Sequence, residues 1–331
     1  MPDPARATES PELRWGIIGC GDVTEVKSGP GFQKAKGSAL VAVMRRHGDL
    51  ARDYAERHGV PRWYDDADAL VADPEVDAVY VATPPASHLE HTLRAARAGK
   101  PVYVEKPMAL NAGECQEMVE ACEAAGVGLY VAYYRRALPR FRGIEKLVAD
   151  GRIGEPRTVT TEFRRPPAAA GSDGWRVDPA TAGGGYFADL ASHTLDFLDF
   201  VLGPVAETYG FAANQGGLYA AEDAVSASFR YESGVLGTGV WCFTSGTSKD
   251  LTEIVGTAGA LRFSSFTTDP IELETADGTE RIAIDNPPHV QQPLIRLVTD
   301  DIRGRGQSPS TGRTALRTAR VMDRILSDYY R

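Results

Sequence analysis

Short apolar runs alternate with helical segments along the first part of the chain, and this alternation constrains the fold more than any other feature. Buried strands are predicted where the sequence is continuously apolar, at 14–18, 39–44, 78–82, 102–104 and 127–132. Helices are predicted between them, at 49–58, 66–72, 87–98 and 112–125. Apolar strands separated by helices are typical of a parallel sheet that is covered on both faces. The sequence therefore predicts an N-terminal α/β domain built on a doubly wound parallel sheet.

Right-handed crossovers place the carboxyl ends of these strands at one edge of the sheet, where open α/β folds bind ligands. The segments predicted at this edge are Gly19–Gly21, Arg45, Thr83–Pro85 and Glu105–Pro107. Lys106 is poorly explained as a lysine that serves only solubility, because Pro107 fixes the backbone just after it. The carboxylate of Glu105 could hold its ammonium group.

Two features at this edge predict a dinucleotide. Gly19 and Gly21 permit a tight turn and close approach of the backbone to a pyrophosphate, although Thr24 replaces the third glycine of the fingerprint. The second strand ends in Arg45 and Arg46, where NAD-preferring sites usually carry a carboxylate. Guanidinium groups suit the 2′-phosphate of NADP, so we expect NADP(H) to be preferred, with NAD(H) as the alternative. A pair of exposed loop arginines is the competing interpretation.

The segment 183–202 begins with three glycines and continues with apolar residues at helical spacing. One predicted face carries Phe187, Ala191, Leu195, Leu198 and Leu202, and the opposite stripe carries Asp189, His193, Asp196 and Phe200. Asp189 stands four residues before His193, so we expect its carboxylate to orient the imidazole and to stabilise its cation. The alternative is that the stripe is only the exposed side of an amphipathic helix.

The second half reads as an α+β domain. Strands are predicted at 157–164, 223–231, 235–243, 252–255 and 261–263, with a hairpin turn at 232–234. Helices are predicted at 139–149 and 314–329, and the Tyr-Tyr-Arg-Arg run at 133–136 marks the domain boundary. The helices are too few to cover both faces of such a sheet, so we expect a homodimer or homotetramer formed through it.

Composition excludes several classes of protein. The net charge of -9 argues against a nucleic-acid partner, and the sequence has no apolar run long enough to predict a membrane span. Residues 1–12 read as a disordered tail without the apolar core of a signal peptide. The four cysteines form no CxxC pair, which indicates free thiols in a reducing cytoplasm. His88 and His91 lack a third ligand pattern, so no metal site is predicted.

Four motifs carry a resemblance to the Gfo/Idh/MocA family of oxidoreductases: GCGDVT at 19–24, ATPPASH at 82–88, EKP at 105–107 and GGGYFADLASHTLD at 183–196. The resemblance extends from Leu13 onward. It implies a nicotinamide-binding Rossmann domain over 13–133 and a substrate-binding and oligomerisation domain over 134–331, built on a large open, mostly antiparallel sheet. The departure at Thr24 is expected to loosen the helix packing behind the pyrophosphate turn.

The resemblance also implies the site. It implies Lys106, Asp189 and His193 as the catalytic set. The sequence also resembles the branch of the family that oxidises and reduces sugars, in which a Gly-Trp-Arg segment like that at 174–176 contacts the cofactor. The predicted cofactor-binding residues are Gly19, Gly21, Asp22, Val23, Thr24, Arg45, Arg46, Thr83, Pro84, His88, Glu105, Lys106, Trp175 and Arg176. The predicted substrate-binding residues are Lys106, Tyr134, Trp175 and His193, although Tyr134, Trp175 and Arg176 could equally serve interdomain packing.

These inferences predict an NADP-dependent oxidoreductase that transfers a hydride between nicotinamide and a carbon of a sugar, sugar derivative or polyol. His193 has an ordinary pKa near neutrality and could act as acid or base, and Lys106 could polarise the same substrate oxygen. One alternative is a trans-dihydrodiol dehydrogenase. Another is a non-catalytic dinucleotide sensor, against which the retained Lys106, Asp189 and His193 argue.

Overall fold

The computed structural model describes residues 12–169 and 174–330, and the strands in this part of the chain form two sheets. The first sheet is parallel throughout and has the order β3-β2-β1-β4-β5-β6. Its strands are β1 Leu13–Ile18, β2 Ser38–Met44, β3 Arg62–Tyr64, β4 Ala78–Val81, β5 Val102–Val104 and β6 Leu129–Val131. The order reverses direction at β1, which confirms the predicted doubly wound sheet and puts the switch point between β1 and β4.

Helices cover both faces of this first sheet. They are α1 Asp22–Val26, α2 Gly29–Lys34, α3 Gly48–His58, α4 Ala67–Ala72, α5 His88–Arg97 and α6 Ala112–Ala124. One face packs around Trp15, Phe32 and Tyr80, and the opposite face packs around Ile18 and Val104. Burial on two faces is why these strands read as continuous apolar runs.

The second sheet has eight strands in the order β14-β13-β12-β11-β7-β10-β9-β8, and only the β7–β10 pair is parallel. Its strands are β7 Pro156–Arg164, β8 Val205–Ala213, β9 Ala224–Tyr231, β10 Leu236–Cys242, β11 Lys249–Gly256, β12 Gly259–Phe263, β13 Ile271–Thr275 and β14 Gly278–Ile282. The helical segments before and between them are α7 Pro139–Ala149, α8 Pro179–Ala182, a π-helical turn Phe187–Ala191 and α9 Ser192–Leu202. The predicted C-terminal α+β domain with an open, mostly antiparallel sheet is confirmed.

The two faces of the second sheet differ in burial. The inner face packs against α7, α9 and the C-terminal helix, with Phe229 and Trp241 in the core. On the outer face Tyr209 is 61% exposed, Phe211 76%, Leu236 56% and Val240 51%. Large apolar side chains therefore line an uncovered surface of the described structure.

The last two helices connect the domains. In α10, Gln292–Ile302, the side chains of Leu294 and Val298 join the core around Trp15. In α11, Gly312–Leu326, Leu316 packs into the first domain while Ile325 packs into the second. The C-terminal segment is thus shared between the two cores. No helix of the described ranges is long and apolar enough to cross a bilayer.

The segment 183–202 is not the amphipathic helix that its spacing suggests. It begins with the π-helical turn and continues as α9, whose polar residues are as buried as its apolar ones. Arg136, also buried, donates to Asp196 at 2.7 and 2.8 Å and to Asp199 at 2.9 Å. Asp196 therefore belongs to a buried ion pair between elements, and the alternative interpretation of the stripe as an exposed helix face is wrong.

Candidate active site

The ends of β1, β2 and β4 meet at the predicted edge. The N–H groups of Gly19 and Cys20 donate to Met44 O at 2.9 and 3.1 Å. Gly19 has a φ of +92°, and a Cβ there would lie 2.7 Å from Cγ2 of Thr83, so this position requires glycine. A Cβ on Gly21 would meet its nearest atom at 3.9 Å, which leaves space above that residue.

Thr24 closes the turn rather than loosening it. The N–H of Gly21 donates to Thr24 Oγ1 at 3.0 Å, and the Thr24 hydroxyl donates to Gly21 O at 2.7 Å. Thr24 is fully buried, and its carbonyl accepts a hydrogen bond from the hydroxyl of Tyr54 at 2.9 Å. The prediction of loosened packing is wrong because the threonine side chain caps α1. The first N–H groups of α1, those of Asp22 and Val23, have no intrahelical carbonyl partner.

Arg45 and Arg46 follow β2 directly and are exposed. Neither side chain takes part in an ion pair within residues 12–169 and 174–330. Both guanidinium groups are therefore without an internal carboxylate partner in the described structure, and their contact with a 2′-phosphate stays a prediction.

The predicted cofactor-binding residues Thr83, Pro84 and His88 lie at or beneath the same edge. Thr83 and Pro84 are half-buried, and Oγ1 of Thr83 is buried without a hydrogen-bond partner in the described structure. His88 is buried, with Nε2 2.7 Å from Thr83 O and Nδ1 3.0 Å from Pro107 O, so it joins two loops of the edge. Burial lowers the pKa of His88, against the opposing effect of these carbonyl groups.

Glu105 is also buried, but it does not hold the Lys106 ammonium. Its carboxylate accepts hydrogen bonds from the hydroxyl of Tyr80, from Gln291 Nε2 at 2.5 Å and from the Lys106 backbone N–H at 3.1 Å. The expectation that Glu105 holds the ammonium group is wrong because the carboxylate turns inward, where buried donors need an acceptor. Glu105 thereby fixes the backbone from which the Lys106 side chain extends.

The Lys106 ammonium pairs with Asp189. Nζ donates to the Asp189 carboxylate and to Asp189 O at 3.0 Å, and the two side chains are only 15% and 18% exposed. Nε of Arg176 lies 3.8 Å from the second carboxylate oxygen. Burial would raise the pKa of Asp189, but the charge and hydrogen bond of Lys106 bring it below the ordinary value. The carboxylate is therefore ionised near neutral pH.

His193 lies beside this pair without bonding to it. Its Nδ1 is buried and has no hydrogen-bond partner in the described part of the chain. Burial, followed by the charges of Arg135 and Lys106, lowers the pKa of His193 well below its ordinary value, so the imidazole is neutral. The prediction that Asp189 orients His193 is wrong, because an ammonium group is a stronger partner for a carboxylate than a neutral imidazole.

Aromatic rings form one wall next to His193. The imidazole packs edge-on against Tyr134 at 5.0 Å and lies 6.3 Å from Phe266, and Phe266 contacts Phe163 at 5.0 Å. Trp175 is 36% exposed, and the guanidinium of Arg176 lies 4.8 Å from its ring centre. The structure thus brings predicted substrate residues Tyr134 and His193 together, and Arg176 links 174–176 to Asp189.

Two arginines near this wall were missed from the sequence. The guanidinium of Arg135 lies 4.6 Å from the centre of Phe266, and that of Arg165 lies 4.0 Å from the centre of Tyr186. The sequence signal was weak, since Arg135 sits in a run that marks the domain boundary and Arg165 follows a predicted strand. Only the fold shows that they face aromatic rings near the cleft.

Comparison with known proteins matches both domains to one family. A family described as "Oxidoreductase family, NAD-binding Rossmann fold" matches residues 13–133, and the "GFO/IDH/MocA C-terminal domain" matches residues 141–262. Oxidoreductase P35 of Formosa agariphila is 38% identical, over 94% of this chain and 97% of the relative. The 1,5-anhydro-D-fructose reductase of Ensifer adhaerens is 33% identical, over 90% and 91% of the two chains.

A solved structure extends the match to the whole fold. The aldose-aldose oxidoreductase from Caulobacter crescentus, complexed with glycerol, superimposes with a TM-score of 0.85 at 26% identity, over 96% of this chain and 97% of that one. The family matches cover both domains, and the first of them identifies the N-terminal domain as a dinucleotide-binding Rossmann domain. The chain therefore belongs to the GFO/IDH/MocA family of NAD(P)-dependent oxidoreductases.

Proposed function

We propose that this protein transfers a hydride between NADP(H) and a CH–OH carbon of a sugar, sugar derivative or polyol. The observation that carries the proposal is the Lys106–Asp189 pair beside a neutral His193, at a sheet edge with open glycine backbone. The similarity to 1,5-anhydro-D-fructose reductase and to aldose-aldose oxidoreductase supports a carbohydrate substrate.

The residues at the edge fit a dinucleotide. The space above Gly21 admits a pyrophosphate, the buried Oγ1 of Thr83 lacks a partner in the described structure, and Arg45 and Arg46 are free for a 2′-phosphate. When bound, the nicotinamide supplies or accepts the hydride. The protein contributes orientation, exclusion of water and one proton transfer.

One N–H donor of the Lys106 ammonium group remains free for the substrate. An ammonium group has three N–H donors, and two of them bind the carboxylate and the carbonyl of Asp189. The third can bind the reacting oxygen, so that Lys106 polarises a carbonyl during reduction and stabilises an alkoxide during oxidation.

His193 can exchange the proton of the reacting hydroxyl. In oxidation the alcohol carbon loses a hydride to the cofactor, and the hydroxyl loses its proton to a base; reduction reverses both transfers. A neutral imidazole can accept that proton, which is the state that burial imposes on His193. We propose His193 as the base in oxidation, with Lys106 as its competitor for that role.

We further propose a homodimer or homotetramer formed through the outer face of the second sheet. Its support is the row of exposed apolar side chains on β8 and β10. We also propose a reducing compartment such as the cytoplasm, because Cys20, Cys115, Cys122 and Cys242 are all free thiols.

Turnover by the purified protein tests the proposed function. Nicotinamide absorbance would be followed with NADP(H) and NAD(H) against aldoses, ketoses, inositols, 1,5-anhydrofructose and trans-dihydrodiols. We expect turnover with at least one sugar or polyol, and its loss in Lys106→Met with dinucleotide binding retained. Turnover of dihydrodiols alone would favour that dehydrogenase, and tight dinucleotide binding without turnover of any compound would favour the sensor.

A further inference from the structure

The cleft around Asp189 and His193 is rich in positive charge. Arg176 lies 3.8 Å from Asp189, and Lys106 is paired with it. The charge of Lys27 reaches both Asp189 and His193, since it lowers the pKa of each. Asp189 is the carboxylate that these cations share.

Arg165 is a further cation near the cleft. It follows β7, and its backbone is fixed because its N–H donates to Cys242 O at 2.9 Å and its carbonyl accepts from Ser245 at 3.1 Å. Its guanidinium stacks on Tyr186, 4.0 Å from the ring centre. Nε and Nη2 are both buried and have no hydrogen-bond partner among residues 12–169 and 174–330.

These two nitrogens define a specific kind of acceptor. Nε and Nη2 are neighbouring donors on one edge of the planar guanidinium, and that edge matches the two oxygens of a carboxylate or of a sulfate or phosphate ester. Burying such donors without an acceptor is unfavourable, so a bound anion would satisfy a group that the protein itself leaves unpaired. A hydroxyl group offers only one oxygen to this edge.

Neighbouring arginines also have buried nitrogens without a partner in the described structure, one each in Arg135 and Arg164 and two in Arg140, but each of these side chains donates to at least one protein acceptor. Arg164 donates to Glu162 at 2.6 Å, and Arg136 is held by two carboxylates. Arg135 donates through two nitrogens to Ser265 O, at 3.0 and 2.8 Å. Arg165 has an aromatic ring as its neighbour and no carboxylate in the described structure.

Arg165 is also connected to His193 through aromatic rings. It stands two residues after Phe163 and stacks on Tyr186, and both of these rings contact Phe243. Phe163 in turn contacts Phe266, whose ring lies 6.3 Å from the imidazole of His193. A hexose that places one carbon at Lys106 can extend its far end toward Arg165.

We propose that the substrate is an acidic sugar, and that Arg165 binds its anionic group while the carbon that exchanges hydride lies at Lys106 and His193. This inference rests on the proposed function and names the substrate class. Arg165 is thereby a specificity-determining residue, whose contribution falls on substrate binding and not on the proton transfer.

Matched pairs of substrates test the proposal. The kcat/KM of the purified protein with NADP⁺ would be measured for D-glucose against D-glucuronate and for D-galactose against D-galacturonate, with D-glucose 6-phosphate and 6-sulfate as ester arms. We expect the acidic member of at least one pair to be favoured about ten- to a hundredfold, the gain typical of a bidentate charged contact. A preference for a uronate identifies the anionic group as a carboxylate. A preference for the 6-phosphate or the 6-sulfate identifies it as a phosphate or sulfate ester.

Variants separate recognition from folding. Arg165→Gln should lower kcat/KM for the acidic member about ten- to a hundredfold through KM, leave the neutral member within about twofold, and retain the melting temperature. Arg165→Lys should keep part of the preference, because it restores the charge without the bidentate edge. Arg164→Gln is the matched control, since its side chain is adjacent but already paired with Glu162, and it should keep the full preference.

Equal kcat/KM values for the acidic and neutral members in the parent protein would overturn the proposal. An Arg165→Gln variant in which kcat/KM falls equally for both members would overturn it as well. If no sugar is turned over, the proposed function fails, and calorimetric titration of D-glucuronate and D-glucose into the NADPH-loaded protein still decides the inference. Binding of glucuronate that is lost in Arg165→Gln supports an anion site at Arg165. Absence of glucuronate binding at concentrations that saturate uronate enzymes overturns it.

Discussion

Replacing Asp189 by asparagine should impair catalysis through Lys106 and not through His193. The carboxylate is bonded to the Lys106 ammonium, whereas Nδ1 of His193 has no partner in the described residues. Asparagine preserves the shape of the side chain and the bond from Nζ to Asp189 O, but it removes the negative charge. We therefore expect the ammonium to be held less firmly in the direction of the reacting oxygen.

The size of the effect follows from the bond that is lost. A hydrogen bond between charged groups contributes about 1.5–3 kcal/mol, and each 1.36 kcal/mol of activation free energy is a factor of ten in rate. Asp189→Asn should therefore slow hydride transfer by about ten- to a hundredfold. Lys106→Met and His193→Ala each remove a group that acts on the substrate oxygen, and we expect losses of about 10²–10⁴-fold.

Double variants distinguish an Asp189 carboxylate that acts through Lys106 from one that acts through His193. Lys106→Met/Asp189→Asn should be about as slow as Lys106→Met alone, because the carboxylate then has no ammonium to position. His193→Ala/Asp189→Asn should show nearly the product of the two single losses. Lys106→Met/His193→Ala should lose less than the product of the singles if both groups act on one oxygen.

The assay is single-turnover hydride transfer measured by nicotinamide absorbance, with melting curves and dinucleotide titrations on every variant. Asp150→Asn is the matched control, because Asp150 pairs with Lys146 at 2.8 Å on the exposed surface. That substitution should leave the rate unchanged. Strong coupling between Asp189 and His193, together with independent effects of Asp189 and Lys106, would refute the geometry described above.

Three further predictions concern the cofactor, the assembly and pH. Arg45→Asp should weaken NADP(H) binding about ten- to a hundredfold while sparing NAD(H), and fluorescence titration that shows equal losses for both would contradict the assignment. Light scattering should show a species larger than the 35.7 kDa chain, reduced to that mass by Phe211→Asp on the outer sheet face, and a parent protein that is already monomeric at micromolar concentration would contradict it. Burial holds the pKa of His193 well below its ordinary value of 6.5, so below that pH the unfolded chain binds a proton that the folded chain does not. Stability should therefore fall as pH drops from 6.5 to 5, by up to about 1.4 kcal/mol per pH unit for this group, and melting curves should show a shallower decline in His193→Phe than in the exposed-site control His47→Gln. Parallel declines in the two variants would count against the buried neutral imidazole.

Most strands of the first domain could be predicted from the sequence, since burial on two faces makes them continuously apolar. Strands β1, β2, β4 and β5 begin and end within a residue or so of the predicted ranges. Strand β3, Arg62–Tyr64, was missed because it is short and Trp63 is 42% exposed, so it forms no apolar run. Edge strands need less apolar surface, and pattern alone does not detect them.

The second domain was predicted less completely. Strand β14, Gly278–Ile282, is mostly exposed and polar, and nothing in its composition distinguishes it from a loop. Helix α10 was also missed, although it has apolar residues at helical spacing. It packs in the core around Trp15 only because the chain returns to the first domain. Local sequence pattern does not predict such a long-range contact.

The partner of Asp189 could not be predicted from the spacing of residues along the helix. Spacing identifies neighbours along one helix, whereas the partner found here, Lys106, is 83 residues away at the end of another domain's strand. A carboxylate in a mostly buried cleft binds the strongest donor within reach, and an ammonium group exceeds a neutral imidazole in that respect. His193 is consequently left without a carboxylate to fix which ring nitrogen carries the proton. Its protonation therefore responds to the substrate oxygen itself, which suits a group that must accept a proton in oxidation and return it in reduction.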